Sequence, residues 1–178
     1  MLYTGKGDGG TTKLFGPQKE RISKASEMPE ALGTLDELNT FLGFVKARFS
    51  SREPRIAELL HEVQEALFIV QAQTAGADKR LRDNAVTNVE EWVNAIEKYI
   101  PPLTGFSIAG GTELSALLDV ARTLSRRAER RIVAVKEGGL RELPPLTMAY
   151  MNRLSSLLFA LARLANHLAG VKEENPKY

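Results

Sequence analysis

Apolar residues recur at three- and four-residue steps through most of the chain, the period of a helix that buries one face. Leu32, Leu35, Leu38, Leu42 and Val45 trace the first such stripe and predict a helix over 27–49. Pro29 fits in its first turn, where no amide donor is required. Ile56, Leu59, Leu60, Val63, Leu67 and Val70 trace a second helix, opened by Pro54 and running to about residue 78. Thr87 and Glu90 have capping-box spacing and introduce a shorter third stripe, Val89, Trp92, Val93 and Ile96, which the Pro101-Pro102 pair stops. A fourth helix carries Leu114, Leu117, Leu118, Ala121, Leu124, Ala128, Ile132 and Val135 and ends at Gly138-Gly139. The fifth, opened by Pro144-Pro145, carries Leu146, Tyr150, Leu154, Leu157, Leu158, Leu161 and Leu164 to a stop near Gly170. Strand-like alternation is absent, so the pattern predicts an all-α fold, an antiparallel five-helix bundle over 26–170 with short connections. The polar tail 171–178 is expected to fray.

The leader from residue 1 to about 17 lacks this period and reads as an ordered or semi-ordered loop. In Thr4-Gly5-Lys6-Gly7-Asp8-Gly9-Gly10-Thr11-Thr12 the glycines remove bulk, so that backbone amides can turn toward an anion, and lysine and threonine add donors. It is not a Walker A loop: Thr11 stands where the lysine is required, and no strand precedes it. On its residues alone it is either an anion cradle or a plain N-terminal turn.

Composition narrows the chemistry. With no cysteine, disulfides, thiolate metal ligands, iron–sulfur clusters and a cysteine nucleophile are excluded. His61 and His167 are too far apart in sequence for a local metal pair and read as helix-face residues, so no metal ligands are expected. A chain of 178 residues, 43% hydrophobic and 26% charged, has the size and balance of a single domain, 1–178. A net charge of +2 is too small to predict a nucleic-acid or membrane partner. Without an apolar run of about 18 residues or the plan of a signal peptide, the expected location is the cytoplasm.

Charge is concentrated on the fourth helix. Arg122, Arg126 and Arg130, at i, i+4 and i+8, stack three guanidinium groups along one stripe, and Arg127, Ala128, Glu129 and Arg131 complete the run. Like charges so placed repel by a few tenths of a kcal/mol per pair, roughly. They are either a solvated face or a seat for a polyphosphate, whose oxygens suit arginine's planar fork. On the first helix, Asp36 turns off the core stripe and is available to an arginine of a neighbouring helix or subunit. Asn152 and Arg153 lie inside the fifth. Phe106, in the loop before Gly110-Gly111, reads as a core plug or as a site residue.

Taken in this order, the blocks resemble the PduO-type ATP:cob(I)alamin adenosyltransferase family along nearly the whole chain. The similarity runs from the Thr-Gly-x-Gly-Asp-x-Gly-x-Thr opening, through Lys24, Asp36-Glu37-Leu38-Asn39, Phe106 and Arg-Arg-Ala-Glu-Arg, to Tyr-x-Asn-Arg-Leu-Ser. The resemblance implies transfer of the adenosyl group of ATP to the cobalt of reduced cobalamin, with magnesium on the phosphates and intact triphosphate released. It implies a homotrimer with active sites between subunits, the nucleotide held partly by residues 1–20 of one chain. Carried over by position, Thr4, Gly5, Lys6, Gly7, Thr12, Lys13, Lys24, Arg126, Arg127, Ala128, Glu129, Arg130 and Asn152 would contact ATP. Arg122 and Asp36 would form an ion pair across the interface, Phe106 would lie near the corrin, and Arg126 would act on the reacting nucleotide. A flavin-type reductase and a B12-dependent acceptor enzyme are the implied protein partners. Three positions depart from the family pattern: Ala109 replaces a common proline, Ser156 a common aspartate, and Gly5-Lys6 stands where Lys-Thr is frequent.

Two other readings use the same residues. A kinase or ATPase would employ the same loop and arginines but liberate ADP or orthophosphate. A non-enzymatic RNA-binding bundle would lay the arginine helix on phosphates, leaving the glycine-rich leader and Asn152 without a role.

Overall fold

The computed structural model describes residues 2–14 and 21–178. Five helices dominate: α1 (Glu27–Phe49), α2 (Pro54–Ala75), α3 (Ala85–Tyr99), α4 (Glu113–Glu137) and α5 (Pro145–Leu168). α1 coincides with the stripe read from sequence. α2 ends at Ala75, short of the expected 78, because Gly76 takes a left-handed conformation with φ 99° and its N–H returns to the last turn. The Gln73 side-chain amide then fastens the following segment by donating to the Lys79 carbonyl at 2.8 Å. α3 begins two residues before Thr87, so the expected capping box does not form; Asn84 is the entry residue and makes no side-chain cap.

Helix directions follow from the cross-links. Arg48 pairs with Glu113, and Arg131 with Glu30, so α1 and α4 are antiparallel. Asn166 meets Thr112, and Asn152 meets Glu129, so α4 and α5 are antiparallel as well. α3 differs. Glu90 pairs with Arg153 and the Pro101 carbonyl accepts from Arg163, which makes α3 a parallel neighbour of α5. The thirteen-residue link between α3 and α4, residues 100–112, is long enough to carry the chain past α5 and allow this. The principal packing order is α2, α1, α4, α5, α3. A 2.6 Å bond from the buried Thr147 hydroxyl to Gln73 Oε1 ties α5 back to α2.

The apolar stripes meet in one core. Leu35, Leu38, Leu42, Leu67, Leu118, Ile132, Leu154 and Leu158 are fully buried, and truncating such a leucine costs about 2–5 kcal/mol. Among the described residues no helix is long and apolar enough to cross a membrane.

Among the described residues the leader contains a short strand pair that the loop reading did not include. Thr11–Lys13 (β1) and Arg21–Ser23 (β2) form an antiparallel pair in the register Thr11↔Ser23, Thr12↔Ile22, Lys13↔Arg21. Ile22 and Leu14 pack against the core and hold this hairpin on the bundle. Three-residue strands are too short for alternation to register in the sequence. The part of the expected nucleotide segment at residues 15–20 lies outside the described residues.

The tail also departs from expectation. Rather than fraying, it returns to the 101–112 loop: the Ile108 N–H donates to the Glu174 carbonyl at 2.8 Å, and the Asn175 side-chain amide to the Phe106 carbonyl at 3.1 Å. Arg163, 7% exposed, anchors it through Glu173 at 2.6 Å.

Candidate functional site

The arginine helix is positioned at its first turn. The Thr112 side chain caps α4 by accepting from the Ser115 N–H at 3.1 Å. Asn166 of α5 grips the preceding turn, accepting from the Thr112 N–H at 2.9 Å and donating to the Gly110 carbonyl at 2.9 Å. Gly111, at φ 98°, leaves the Asn166 amide room: a Cβ there would lie 2.6 Å from Asn166 Oδ1. The turn that sequence reading attributed to the Gly-Gly pair thus depends equally on Asn166, which no local pattern marks.

α4 sorts its arginines by neighbour. Arg127 pairs with Glu37 and Arg131 with Glu30, both acids of α1. Arg126 and Arg130 are exposed and have no ion-pair partner among the described residues. Glu129 turns the other way and accepts from the Asn152 amide at 2.9 Å. Asn152 is in turn held by Arg153, which donates to its carbonyl oxygen at 2.7 Å and to Glu90 at 2.8 Å. Glu129 and Asn152, distant in sequence, therefore stand side by side next to the unpaired arginines. Ala128 is 0% exposed within the core, so its side chain cannot touch a nucleotide.

Arg122 is only partly exposed. Its Nε donates to Asp119 Oδ1 at 2.9 Å, and its guanidinium carbon lies 5.9 Å from the centre of the Phe159 ring. Within the chain its partner is therefore Asp119, 7% exposed, a residue that sequence reading missed although it sits at i−3 on the same helix. A carboxylate so buried requires a charge partner. Asp36 is exposed and has no ion-pair partner among the described residues.

Between the 101–112 loop and the facing sides of α4 and α5 lies an open cleft of about 660 Å³, lined by Phe106, Arg122, Arg126, Ser155, Ser156 and Phe159 among others. Phe106 is 80% exposed on its rim, which removes the core-plug reading. Ser156, where the family pattern often has aspartate, lines the same wall and leaves it without that acid. Ala109 lies exposed in the loop, three residues beyond Phe106, and does not line the cleft.

The leader builds a second cationic element. Lys24 N–H donates to the Gly10 carbonyl at 2.9 Å. Its ammonium lies so near Gly7 that a Cβ there would be 3.0 Å from Nζ. Arg21 donates to the carbonyls of Lys6 and Thr11 at 2.6 and 2.7 Å, closing the turn that carries Thr4, Gly5 and Lys6. Cross-strand partners share a face, so Thr12 lies on the Ile22 side, toward the core, and Lys13 on the opposite side. No hydrogen bond or ion pair among the described residues joins residues 2–14 to α4. The histidines are helix-face residues: His61 is exposed beside Lys46 and Glu65, and His167 packs edge-on against Tyr99.

Residues 2–165 match the family model described as cobalamin adenosyltransferase. The chain is 38% identical to the corrinoid adenosyltransferase of Bacillus subtilis over 96% of its own length and 89% of that protein. It is 40% identical to a corrinoid adenosyltransferase of Citrobacter freundii, covering 92% and 93% of the two chains. Its fold superposes with a TM-score of 0.92, at 30% identity, on a variant of the PduO-type ATP:corrinoid adenosyltransferase of Lactobacillus reuteri complexed with cobalamin and ATP, covering 99% and 97%. With five helices in this arrangement and a match that spans most of its length, the chain belongs to the cobalamin adenosyltransferase family.

Proposed function

We propose that this chain transfers the 5′-deoxyadenosyl group of ATP to the cobalt of a reduced corrinoid and releases triphosphate. The observation that carries the reading is the single cleft in which an exposed Phe106 faces Arg122 and Arg126. Its apolar rim suits a flat macrocycle, and its cationic wall suits phosphate. In the reaction, electron-rich Co(I) forms a bond to the ribose 5′ carbon, the carbon–oxygen bond breaks, and the electron pair leaves on triphosphate. No proton moves, so no side-chain base is required.

The work left to the protein is placement and electrostatics. Arg126 and Arg130 are free to neutralise charge developing on the leaving triphosphate, since α1 acids engage only Arg127 and Arg131. Asn152 and Glu129, already fixed against each other, would hold the nucleotide at the reacting distance. Lys6, Lys24 and the backbone of Thr4 to Gly7 would embrace the phosphates from the leader, residues 1–20, with Thr12 and Lys13 flanking them. Of these two, Lys13 is on the more accessible face of its strand. Phe106 would exclude water and competing ligands from the corrin face. Among the described residues no cluster of three carboxylates or histidines forms a cage for a metal. Magnesium, which favours phosphate oxygens and water, would therefore be held mainly by the nucleotide.

We infer a homotrimer in which the leader of one subunit completes the arginine face of the next; among the described residues no hydrogen bond or ion pair joins residues 2–14 to α4 of the same chain. Asp36, exposed and unpaired among the described residues, would then engage the partner subunit's Arg122. A flavin-type reductase and a B12-dependent acceptor enzyme are the protein partners that this chemistry calls for.

The test is incubation with cob(I)alamin and Mg-ATP while the corrin spectrum is followed for a cobalt–carbon bond and the phosphate product is identified. Adenosylcobalamin with intact triphosphate supports the reading. ADP or orthophosphate without a corrin change would instead favour a kinase or ATPase.

A further inference from the structure

On the far side of α5 from the Phe106 cleft, and sharing none of its lining, a pocket of about 240 Å³ opens between α2, α3 and the segment joining them. Glu62 and Glu65 of α2 form one wall; Arg82, Asn88 and Trp92 lie on the α3 side; Tyr150 is at the base. Tyr150 is 2% exposed, and its hydroxyl is buried without any hydrogen-bond partner. A buried hydroxyl left in that state is costly, so it needs an acceptor or donor from whatever fills the space.

The charges point the same way. Opposite charges line the pocket, yet they do not pair with one another. Among the described residues Glu62 and Arg82 have no ion-pair partner, and Glu65 reaches only His61, at 3.8 Å and outside the pocket lining. All three are exposed at the mouth of the pocket, so they offer a cation seat on one side and an anion seat on the other above the buried Tyr150 hydroxyl.

We infer that this pocket binds a small zwitterion of the amino-acid class, its ammonium between Glu62, Glu65 and the Trp92 ring and its carboxylate toward Arg82, with the Tyr150 hydroxyl completing the contact. An ammonium over an indole face gains further attraction. The volume is below that of most drug-sized ligand sites, which restricts the occupant to a few heavy atoms beyond the two charged groups.

Trp92 is the chain's only tryptophan, so its fluorescence reports this pocket alone. L-alanine, ethylamine and propionate would be titrated into the full-length protein without nucleotide or corrinoid. The expected result is a saturable change with alanine at concentrations where the two single-charge probes have little effect. Arg82→Gln and Glu62→Gln should each weaken it by about tenfold or more, and Tyr150→Phe, which removes a hydroxyl with no protein partner, should weaken it by about tenfold while leaving the protein folded. Circular dichroism checks that each variant keeps its helix content. A flat response to alanine, equal responses to all three probes, or undiminished alanine binding by folded Arg82→Gln would overturn the assignment and leave a hydrated surface pocket.

Discussion

The side-chain amide of Asn175 donates to the main-chain carbonyl of Phe106 at 3.1 Å, so the last residues of the chain hold the loop that presents the cleft's most exposed aromatic ring. Deleting residues 171–178 should therefore raise KM for the corrinoid several-fold and leave ATP affinity nearly unchanged. Phe106→Ala should slow adenosylation of cob(II)alamin supplied with a reductase, again with ATP affinity preserved. Steady-state kinetics with each substrate varied separately checks both; a truncation that raised only the KM for ATP would contradict the role given to the tail.

Arg126 is exposed and outside the core, so Arg126→Ala should alter stability by no more than about 0.5 kcal/mol while abolishing most activity. A guanidinium–phosphate contact would be lost without a packing change. Arg127→Ala, which releases Glu37, should show a smaller activity loss. Urea denaturation alongside turnover separates the two effects.

Gly111 combines a left-handed backbone with a neighbour too close for a methyl group. Gly111→Ala should destabilise the fold by about 1–3 kcal/mol and disturb the start of α4 by displacing Asn166. Chemical denaturation measures the first, and weakened ATP binding reports the second. Gly9→Ala, at a site with nothing within 4 Å and no positive φ, is the control.

Burial, reinforced by the Glu62 carboxylate, raises the Tyr150 phenol above its ordinary 10.0. In the folded state the group keeps its proton to higher pH than in the unfolded chain. Its contribution is therefore fully present below pH 10 and is lost progressively as the pH rises above it. The wild-type protein should lose more stability than Tyr150→Phe between pH 9 and 11, roughly the window set by the unfolded phenol, as read from urea midpoints. Equal alkaline losses would remove Tyr150 as the cause.

The helices were legible because their stripes are long and regular: Leu35, Leu38 and Leu42 can satisfy only one period. Family resemblance names a set of residues for the site, but their wiring within the chain was not legible. Nothing in the spacing indicates that Arg127 and Arg131 are engaged by α1 and that Arg126 and Arg130 are not, since that depends on how α1 is rotated against α4. The expectation of antiparallel helices fails at α3 because direction is set by where the 100–112 link crosses, and periodicity carries no information about crossings. The tail looked disordered by composition; Arg163 and Glu173, ten residues apart across a helix end, give no local signal of a clasp. Ala128 is a position inside a charged run whose own side chain belongs to the core.

The parallel seating of α3 on α5 bears on how the molecule breathes. Only Val89 and Ile96 of α3 are buried, against a long buried series on α5, and its packing is chiefly with that one neighbour. Such a helix detaches at a lower free energy than the elements it leans on. Deuterium should enter the α3 amides well before those of α1, α4 and α5, and limited proteolysis should begin in the segments that flank it, while the α1–α4–α5 core stays closed.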